Sequence, residues 1–232
     1  MWETFAGSIA LVLAGDVVLL GIVQLSLQVS LTAVFFAALL AFPVGAALAL
    51  YRFPGRAGII VLLNALMGLP PVVAGLVVYL LLSRAGPLGQ WGLLFTPTAM
   101  VIVQTLLIFP IVAALTRQVV SDLWEEYREQ LTSMGATRLR AIPTLLWDAR
   151  FSLLTALLAG FGRATAEVGA VLIVGGNIAG VTRVMTTAIA LETSKGNLAL
   201  AVALGAILML LTLLINAMAF AVSEFAKRRY QV

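Results

Sequence analysis

The chain has 232 residues, of which 62% are hydrophobic and 10% are charged, and its formal net charge is +4. This composition is typical of an integral membrane protein and excludes an ordinary soluble domain. The sequence contains neither cysteine nor histidine, which excludes disulfides, thiol catalysis, thiolate metal sites and imidazole chemistry. Lysine and arginine are spread over turns and form no basic face with interleaved aromatic residues, so we do not expect nucleic-acid binding.

Long apolar segments predict that the chain crosses the membrane five times. Each segment is long enough to cross a hydrocarbon core about 30 Å thick as a helix. The expected spans are 24–50, 57–83, 97–117, 151–176 and 198–222. Residues 1–15 are apolar but too few to span, and they predict a helix that lies at the membrane interface. We therefore expect an all-α fold, with 1–232 forming a single transmembrane domain.

The sequence Gly-Leu-Pro-Pro at 68–71 interrupts the second expected span. Each proline removes a backbone donor and disrupts a helix interior by about 3 kcal/mol. Lipid supplies no replacement partner, so the broken backbone at Pro70 and Pro71 is expected to face protein or a water-filled path. A kink that only improves helix packing is the alternative.

The stretch 122–150 concentrates nine charged residues between two apolar segments. Apolar residues at helical spacing predict a short amphipathic helix over 124–134. Gly135 is expected to end this helix, because glycine adopts the left-handed conformation without a Cβ penalty. A second helix is expected to begin near Thr137 and to lead through Arg150 into the membrane. Such an element is suited to contact with a soluble partner; a solvated connecting loop is the alternative.

Arg163 and Glu167 are charged residues inside the fourth expected span. Four residues apart on a helix, they share a face and can pair. An unpaired charge near mid-bilayer costs at least about 2.5–3.5 kcal/mol, so an inward-facing pair is favoured. The pair is either structural or part of a translocation path, where Arg163 would attract an anion and Glu167 would hold the arginine in place.

Residues 177–183 begin at the end of the fourth span, and 184–193 predict a short helix dipping towards a path. The Ser-Lys-Gly sequence at 194–196 is a helix-stop signal. Oxyanions are commonly held by backbone N–H groups and hydroxyls at helix N-termini. The candidate contact residues are Asn177, Thr182, Arg183, Thr186 and Thr187. A surface loop covering the top of a dimer is the alternative.

The distribution of positive charge predicts the orientation, because cytoplasmic loops retain lysine and arginine. With the N-terminus outside and the C-terminus in the cytoplasm, only Arg84, Arg183 and Lys195 lie outside. The cytoplasmic side then holds Arg52, Arg56, Arg117, Arg128, Arg138, Arg140, Arg150, Lys227, Arg228 and Arg229. This orientation also places the stretch 122–150 in the cytoplasm.

Two segments carry a resemblance to ABC-importer permeases. Residues 129–136 resemble the cytoplasmic EAA loop of these permeases, in which a glutamate is followed six residues later by glycine. The usual Ala-Ala after the glutamate is Gln-Leu here, and the usual downstream proline is absent. Residues 162–193 resemble the molybdate, sulfate and tungstate branch, closest to the tungstate type. The whole likeness covers about 26–221.

The resemblance implies a type I importer permease in the cell (inner) membrane. Contact with an ATPase would involve Glu129, Gln130, Leu131, Met134, Gly135 and Ala136. A Leu-Pro-Pro in the second span belongs, in this family, to the helices that surround the path. Implied partners are two ATPase copies, an extracytoplasmic oxyanion-binding protein and, because five spans cannot easily enclose a path, a second copy of this chain. No cofactor is implied on this chain.

Enzymatic function is not expected, because the sequence lacks the Gly-x-x-x-x-Gly-Lys-Ser/Thr loop that cradles nucleotide phosphates. If ATP drives transport, a separate subunit hydrolyses it. The favoured function is tungstate import, and molybdate or sulfate import is the alternative within the family. A stand-alone secondary transporter is an alternative of a different class, but such proteins show repeats with midplane ion sites, and no clear repeat is visible here. A membrane scaffold is the third hypothesis.

Overall fold

A computed structural model describes residues 16–230, all of them in helices, turns or irregular segments. The expected interfacial helix at 1–15 lies outside the described residues. The all-α fold class is confirmed. Within the described range, the α-helices are α1 (Val17–Leu50), α2 (Arg56–Met67), α3 (Pro71–Leu82), α4 (Pro97–Ser133), α5 (Arg138–Asp148), α6 (Arg150–Thr165), α7 (Gly169–Gly175), α8 (Met185–Ser194) and α9 (Leu198–Tyr230). A single 3₁₀ turn, Gly89–Trp91, lies between α3 and α4.

Three described helices are long and apolar enough to cross a membrane by themselves: Val17–Leu50, Pro97–Ser133 and Leu198–Val222. Two further pairs, α2 with α3 and α5 with α6, meet the same criteria as bent pairs. If each pair is one span, the described part of the chain crosses up to five times by length and composition. The five-span prediction is therefore the upper end of this range.

The predicted break in the second span is confirmed. Helix α2 ends at Met67, Pro70 has extended backbone angles (φ −60°, ψ 126°), and α3 begins at Pro71. Proline is favourable in the first turn of a helix, since the N–H it lacks would have no intrahelical acceptor there. The prolines therefore end one helix and start another.

The third span differs from the prediction. Instead of a span ending at 117 and a separate helix over 124–134, α4 is one helix of 37 residues. Thr96 marks its start, and its hydroxyl lies 3.4 Å from the amide nitrogen of Ala99. The change from apolar to charged sequence near Arg117 does not end the helix, because 118–123 contains neither glycine nor proline.

The fourth span also differs. The predicted segment 151–176 is divided into α6 and α7 by a break at 166–168, which includes Glu167. The helix expected to run from Thr137 through Arg150 is itself divided at Ala149, where α5 and α6 meet at a bend of 74°. Neither break contains proline or glycine, which is why the sequence pattern did not indicate them.

The described residues form two compact units. Unit A contains 16–33, 70–104 and 162–215, and unit B contains 34–69, 105–161 and 216–230. The core of unit A joins α1, α8 and α9 through Leu19, Ile22, Met185, Ala188, Ala203 and Leu204. The core of unit B joins α1, α4 and α5 through Ala46, Leu50, Val120, Ala141 and Leu145. The single transmembrane domain over 1–232 stays a prediction.

Candidate functional site

The stretch 122–150, here called the elbow, consists of the last turns of α4, a turn at 134–137 and α5 up to the start of α6, all of it in unit B. Gly135 is left-handed (φ +77°), as predicted. Its amide donates to the carbonyl of Thr132, and the amide of Ala136 donates to the carbonyl of Leu131. This pair of bonds is the Schellman arrangement that closes a helix C-terminus. The Thr137 side chain then caps α5 by accepting from the Arg140 amide.

The residues predicted to contact an ATPase differ in exposure. Glu129 and Gln130 are exposed on the last turns of α4, while Leu131 packs partly against the core of unit B. Met134 is 75% exposed, and Leu139 and Trp147 on α5 are 69% and 68% exposed. Large apolar side chains displayed beside an ordered turn are more typical of a contact surface than of a solvated loop.

A polar cleft of about 630 Å³ lies beside this elbow, also in unit B. Its charged walls consist of Arg52, Arg56, Arg128, Arg138, Glu125 and Glu129. The Nε of Arg56 donates to the carbonyl of Leu48 at 2.7 Å, which holds that guanidinium at the C-terminal end of α1. Four arginines face two glutamates in this cleft, so its charged side chains carry a net positive charge. The cleft therefore presents excess positive charge to a partner.

Glu167 is the centre of a second cluster, in unit A. One carboxylate oxygen lies 2.7 Å from a guanidinium nitrogen of Arg163, so the predicted pair forms. The other carboxylate oxygen accepts from the Ala170 amide in the first turn of α7, at 2.9 Å. The carbonyl of Glu167 accepts from the Thr186 hydroxyl on α8, at 2.8 Å. Buried Glu167 thus links the end of α6 to the first turn of α7 and to the first turn of α8.

Pro70 and Pro71 lie close to this cluster, because the first turn of α3 packs against the first turn of α7. A Cβ added to Gly169 would come within 2.8 Å of Cγ2 of Val72. Further along, a Cβ on Gly75 would lie 2.8 Å from the Cα of Ala170. The absence of a side chain at both glycines permits this close contact between α3 and α7.

The candidate residues at 177–187 use their polar groups to hold the loop before α8. The Thr182 hydroxyl donates to the Gly175 carbonyl and accepts from the Ile178 amide. The Thr187 hydroxyl bonds the backbone of Val184, and Asn177 donates its Nδ2 to the Thr187 carbonyl. Buried Asn177 Oδ1 and Arg183 Nε have no partner among the described residues.

The far end of α8 is closed by Glu192. Its carboxylate accepts from Lys195 Nζ and from Asn197 Nδ2, both at 3.1 Å. The hydrogen bond from Lys195 holds the pKa of Glu192 below its ordinary value. The predicted helix stop is confirmed at Gly196, which has a φ of +79°.

Among the buried polar residues of unit A that sequence reasoning missed, Ser26 and Gln104 link different helices. The Ser26 hydroxyl accepts from the Met185 amide at 2.7 Å, which ties α1 to the start of α8. Gln104 donates its Nε2 to the Ala164 carbonyl at 3.2 Å, which ties α4 to α6. The available signal was an amide side chain inside an uncharged span, since polar groups within membrane segments usually mark interior contacts.

Comparison with known proteins places this chain among transport components. Residues 41–228 match the family described as "Binding-protein-dependent transport system inner membrane component". A "Probable anion ABC transporter permease protein" of Haloferax volcanii is 42% identical over 205 residues, which cover 86% of this chain and 88% of that protein. The "Tungstate uptake system permease protein TupB" of Peptoclostridium acidaminophilum is 39% identical over 222 residues, 96% of this chain and 97% of that protein.

A more distant relative is the "Sulfate transport system permease protein CysT" of Escherichia coli, 28% identical over 172 residues, which cover 71% of this chain and 62% of that protein. Permeases of this family are transport components and not ATPases, and in general they work with an ATPase and a substrate-binding protein. The predicted resemblance is therefore confirmed. This chain belongs to the binding-protein-dependent transport system inner membrane component family, as a multi-pass permease component of an ABC importer.

Proposed function

We propose that this chain is the permease subunit of an ATP-driven tungstate importer. The observation that supports the substrate is the contrast between relatives. The tungstate permease matches 96% of this chain at 39% identity, whereas the sulfate permease matches 71% at 28%. Import of molybdate or sulfate is therefore less favoured.

The elbow at 122–150 receives the ATPase. Two copies of the chain pack around a two-fold axis, and each presents its elbow to one of two ATPase subunits. Exposed Met134, Leu139 and Trp147 supply apolar contact. The arginine-lined cleft supplies charge that complements an acidic surface. This arrangement needs the elbow in the cytoplasm, the side to which the positive-charge bias assigns it, with the N-terminus outside.

The interruption at Pro70 and Pro71 faces the translocation path, because irregular backbone at membrane depth requires a protein or water-filled surrounding. Arg163 and Glu167 hold the helices beside it in place. The segment 177–187 borders the outer part of the path. Its threonine hydroxyls are bonded to backbone groups, so they offer an oxyanion at most transient contacts.

The test is uptake into proteoliposomes that contain the chain together with its ATPase. An external oxyanion-binding protein is added. Accumulation of tungstate, molybdate and sulfate is then measured with ATP inside the vesicles, with ATP outside them, and without ATP. We expect accumulation that requires both ATP on the ATPase side and the binding protein, with tungstate preferred. Preference for molybdate or sulfate would contradict the substrate. Accumulation driven by an ion gradient without ATP would contradict the importer mechanism and support a secondary transporter.

A further inference from the structure

The arginine-lined cleft of unit B begins at the turn that joins two apolar segments of the chain. Helix α1 (Val17–Leu50) contains no charged residue, and the first charges after it are Arg52 and Arg56 on the cleft wall. Charged side chains at the end of an apolar span lie in the headgroup layer of a bilayer, because the hydrocarbon core disfavours them. The part of the cleft formed by Arg52 and Arg56, here called the membrane end, is therefore expected at the level of lipid phosphates.

Helix α4 gives the depth of another wall of the cleft. The first charged residue of this helix is Arg117, which marks the end of its apolar part. At about 1.5 Å per residue, Ser121 and Arg128 on the cleft wall lie about 6 Å and about 16 Å beyond Arg117 along the helix. The headgroup layer on each side of a bilayer is about 5–8 Å thick. The cleft thus extends from the headgroup layer outwards to the elbow.

The chemistry of the membrane end suits a lipid phosphate. Guanidinium groups donate paired N–H bonds to phosphate oxygens. The Nε of Arg56 donates to the Leu48 carbonyl at 2.7 Å, which holds this guanidinium at the wall of the cleft. Trp124, on the same wall, is of the residue type that is enriched where membrane meets water. Ile59 lies one turn after Arg56 on the same face of α2 and is 40% exposed, so apolar surface for an acyl chain adjoins the arginines.

Two glutamates on the wall, Glu125 and Glu129, restrict the kind of anion that fits. A free divalent oxyanion would be repelled by these carboxylates and would fill only a small part of about 630 Å³. A phosphodiester carries a single negative charge, and hydroxyl groups of a lipid headgroup can donate to the carboxylates. An acidic surface of the ATPase lacks such donors and would approach from the elbow, since the membrane end lies at the lipid surface. The cleft therefore matches an anionic headgroup that also carries hydroxyls.

We propose that the membrane end of the cleft binds one anionic phospholipid with a hydroxyl-bearing headgroup, such as phosphatidylglycerol. Its phosphate binds Arg52 and Arg56, and its acyl chains lie along α2 beside Ile59. Basic pockets between membrane helices are known to hold anionic headgroups in this way. In the orientation proposed above, the lipid belongs to the cytoplasmic leaflet, and the elbow end of the cleft stays available to the ATPase. The site requires a membrane-embedded chain and does not depend on which oxyanion is transported.

Native mass spectrometry of the delipidated, full-length permease–ATPase complex tests the proposal. The complex is titrated with phosphatidylglycerol, with phosphatidylcholine of the same acyl chains, and with inorganic phosphate. We expect one phosphatidylglycerol to bind per permease chain, at least about tenfold more tightly than phosphatidylcholine, because two arginines face its net charge. Equal binding of the two lipids would overturn the proposal. Inorganic phosphate that binds as tightly as phosphatidylglycerol would indicate a site for a free anion and would also overturn it.

Substitutions in the same complex locate the bound lipid. Each arginine near a membrane surface strengthens binding of an anionic lipid about fivefold, so the double variant Arg52→Gln/Arg56→Gln should bind phosphatidylglycerol about thirtyfold more weakly. Arg84→Gln is the matched control, since Arg84 is an exposed arginine after another apolar helix and does not line the cleft. It should leave the affinity unchanged.

If the double variant does not assemble, Arg52→Gln alone decides, because Arg52 is exposed in the turn after α1. It should weaken binding of phosphatidylglycerol about fivefold. Unchanged affinity in the variants at the membrane end would overturn the proposal. Loss of the ATPase from the complex with unchanged lipid binding would assign this end of the cleft to the ATPase, and would overturn it as well.

Discussion

At the scale of single residues, Glu167 makes further hydrogen bonds besides its ion pair with Arg163. Its side chain is 3% exposed, and both carboxylate oxygens and the carbonyl have partners. The Arg163 side chain is 27% exposed, so the pair is only partly shielded on the arginine side. Removing one member leaves a poorly solvated charge, which costs more than the pair contributes.

We therefore expect Arg163→Ala and Glu167→Ala each to destabilise the complex more than the double substitution does, by about 3 kcal/mol for the single loss of the arginine. Thermal unfolding of the detergent-solubilised complex measures this. Glu167→Gln is the control for the bond to α7, because its side-chain amide oxygen can still accept from the Ala170 amide. Additive effects of the two single substitutions on unfolding would contradict the pairing. A double variant that assembles normally yet does not transport would show instead that Arg163 serves the anion.

Thr116 is a buried hydroxyl of α4 without a partner among the described residues. Replacing it by valine keeps the shape and removes an unmet polar group. We expect Thr116→Val to stabilise the complex by about 1 kcal/mol, measured as a rise in Tm. Thr212→Val is the matched control, because the Thr212 hydroxyl donates to the Leu208 carbonyl. Removing this bonded hydroxyl should not raise the Tm of the complex. A lower Tm for Thr116→Val would indicate a polar contact for this hydroxyl that the structure does not show.

At the scale of helices, α1 and α4 cross closely in unit B at Gly45. A Cβ at this position would lie 2.7 Å from the carbonyl oxygen of Ala113 and 2.7 Å from Cβ of Thr116. Backbone cannot yield as a flexible side chain can, so overpacking should cost about 1–3 kcal/mol in Gly45→Ala. Gly21→Ala in the same helix is the control, since nothing lies within 4 Å of its added Cβ. Equal Tm values for the two variants would contradict the close crossing.

Helix α4 runs from Pro97 to Ser133, with Pro110 inside it, and its last turns belong to the elbow. We expect a displacement of the elbow to move those turns. We expect Gly135→Val to disrupt the left-handed turn, and Glu129→Lys to reverse a charge on the surface that docks the ATPase. Both variants should insert normally and lose substrate-stimulated ATP hydrolysis.

Gly92→Val is the control for Gly135→Val. Gly92 is also left-handed (φ +60°) with no atom within 4 Å of an added Cβ, but it lies outside the elbow. It imposes similar backbone strain and should leave stimulated hydrolysis largely intact. Normal stimulation in both Gly135→Val and Glu129→Lys would remove the coupling assignment.

At the scale of the whole molecule, we expect the external binding protein, and not the permease, to select the substrate. Tungstate and molybdate are dianions of nearly the same size and shape, and a path that bound one tightly could not release it. We expect calorimetry on the isolated permease to detect no submicromolar tungstate site. Exchanging the external binding protein for a molybdate-selective one that still docks should shift uptake towards molybdate. A tight, saturable tungstate site on the permease would contradict this prediction, and the first places to look for it would be Arg163 and the segment 182–187.

The sequence by itself determined the membrane class, the helical fold and the elements whose cause is local. The break at Pro70, the start of α4 at Pro97, and the helix ends at Gly135 and Gly196 follow from backbone preferences of the residues concerned. Long apolar segments likewise predict helices because the hydrocarbon core requires internally satisfied backbone. These features need no knowledge of distant neighbours.

Only the tertiary structure decided which polar groups meet. Thr186 contacts Glu167 across 19 residues of sequence, and Ser26 contacts Met185 across 159. The arginine cleft collects side chains from α1, α2, α4 and α5 and the turn before α2. The break at Glu167 also involves such a contact: its carboxylate pairs with Arg163 and accepts from the Ala170 amide, and its backbone carbonyl accepts from the Thr186 hydroxyl on α8. Periodicity and propensity describe a segment and its nearest neighbours, whereas these sites depend on packing between helices that are far apart in the chain.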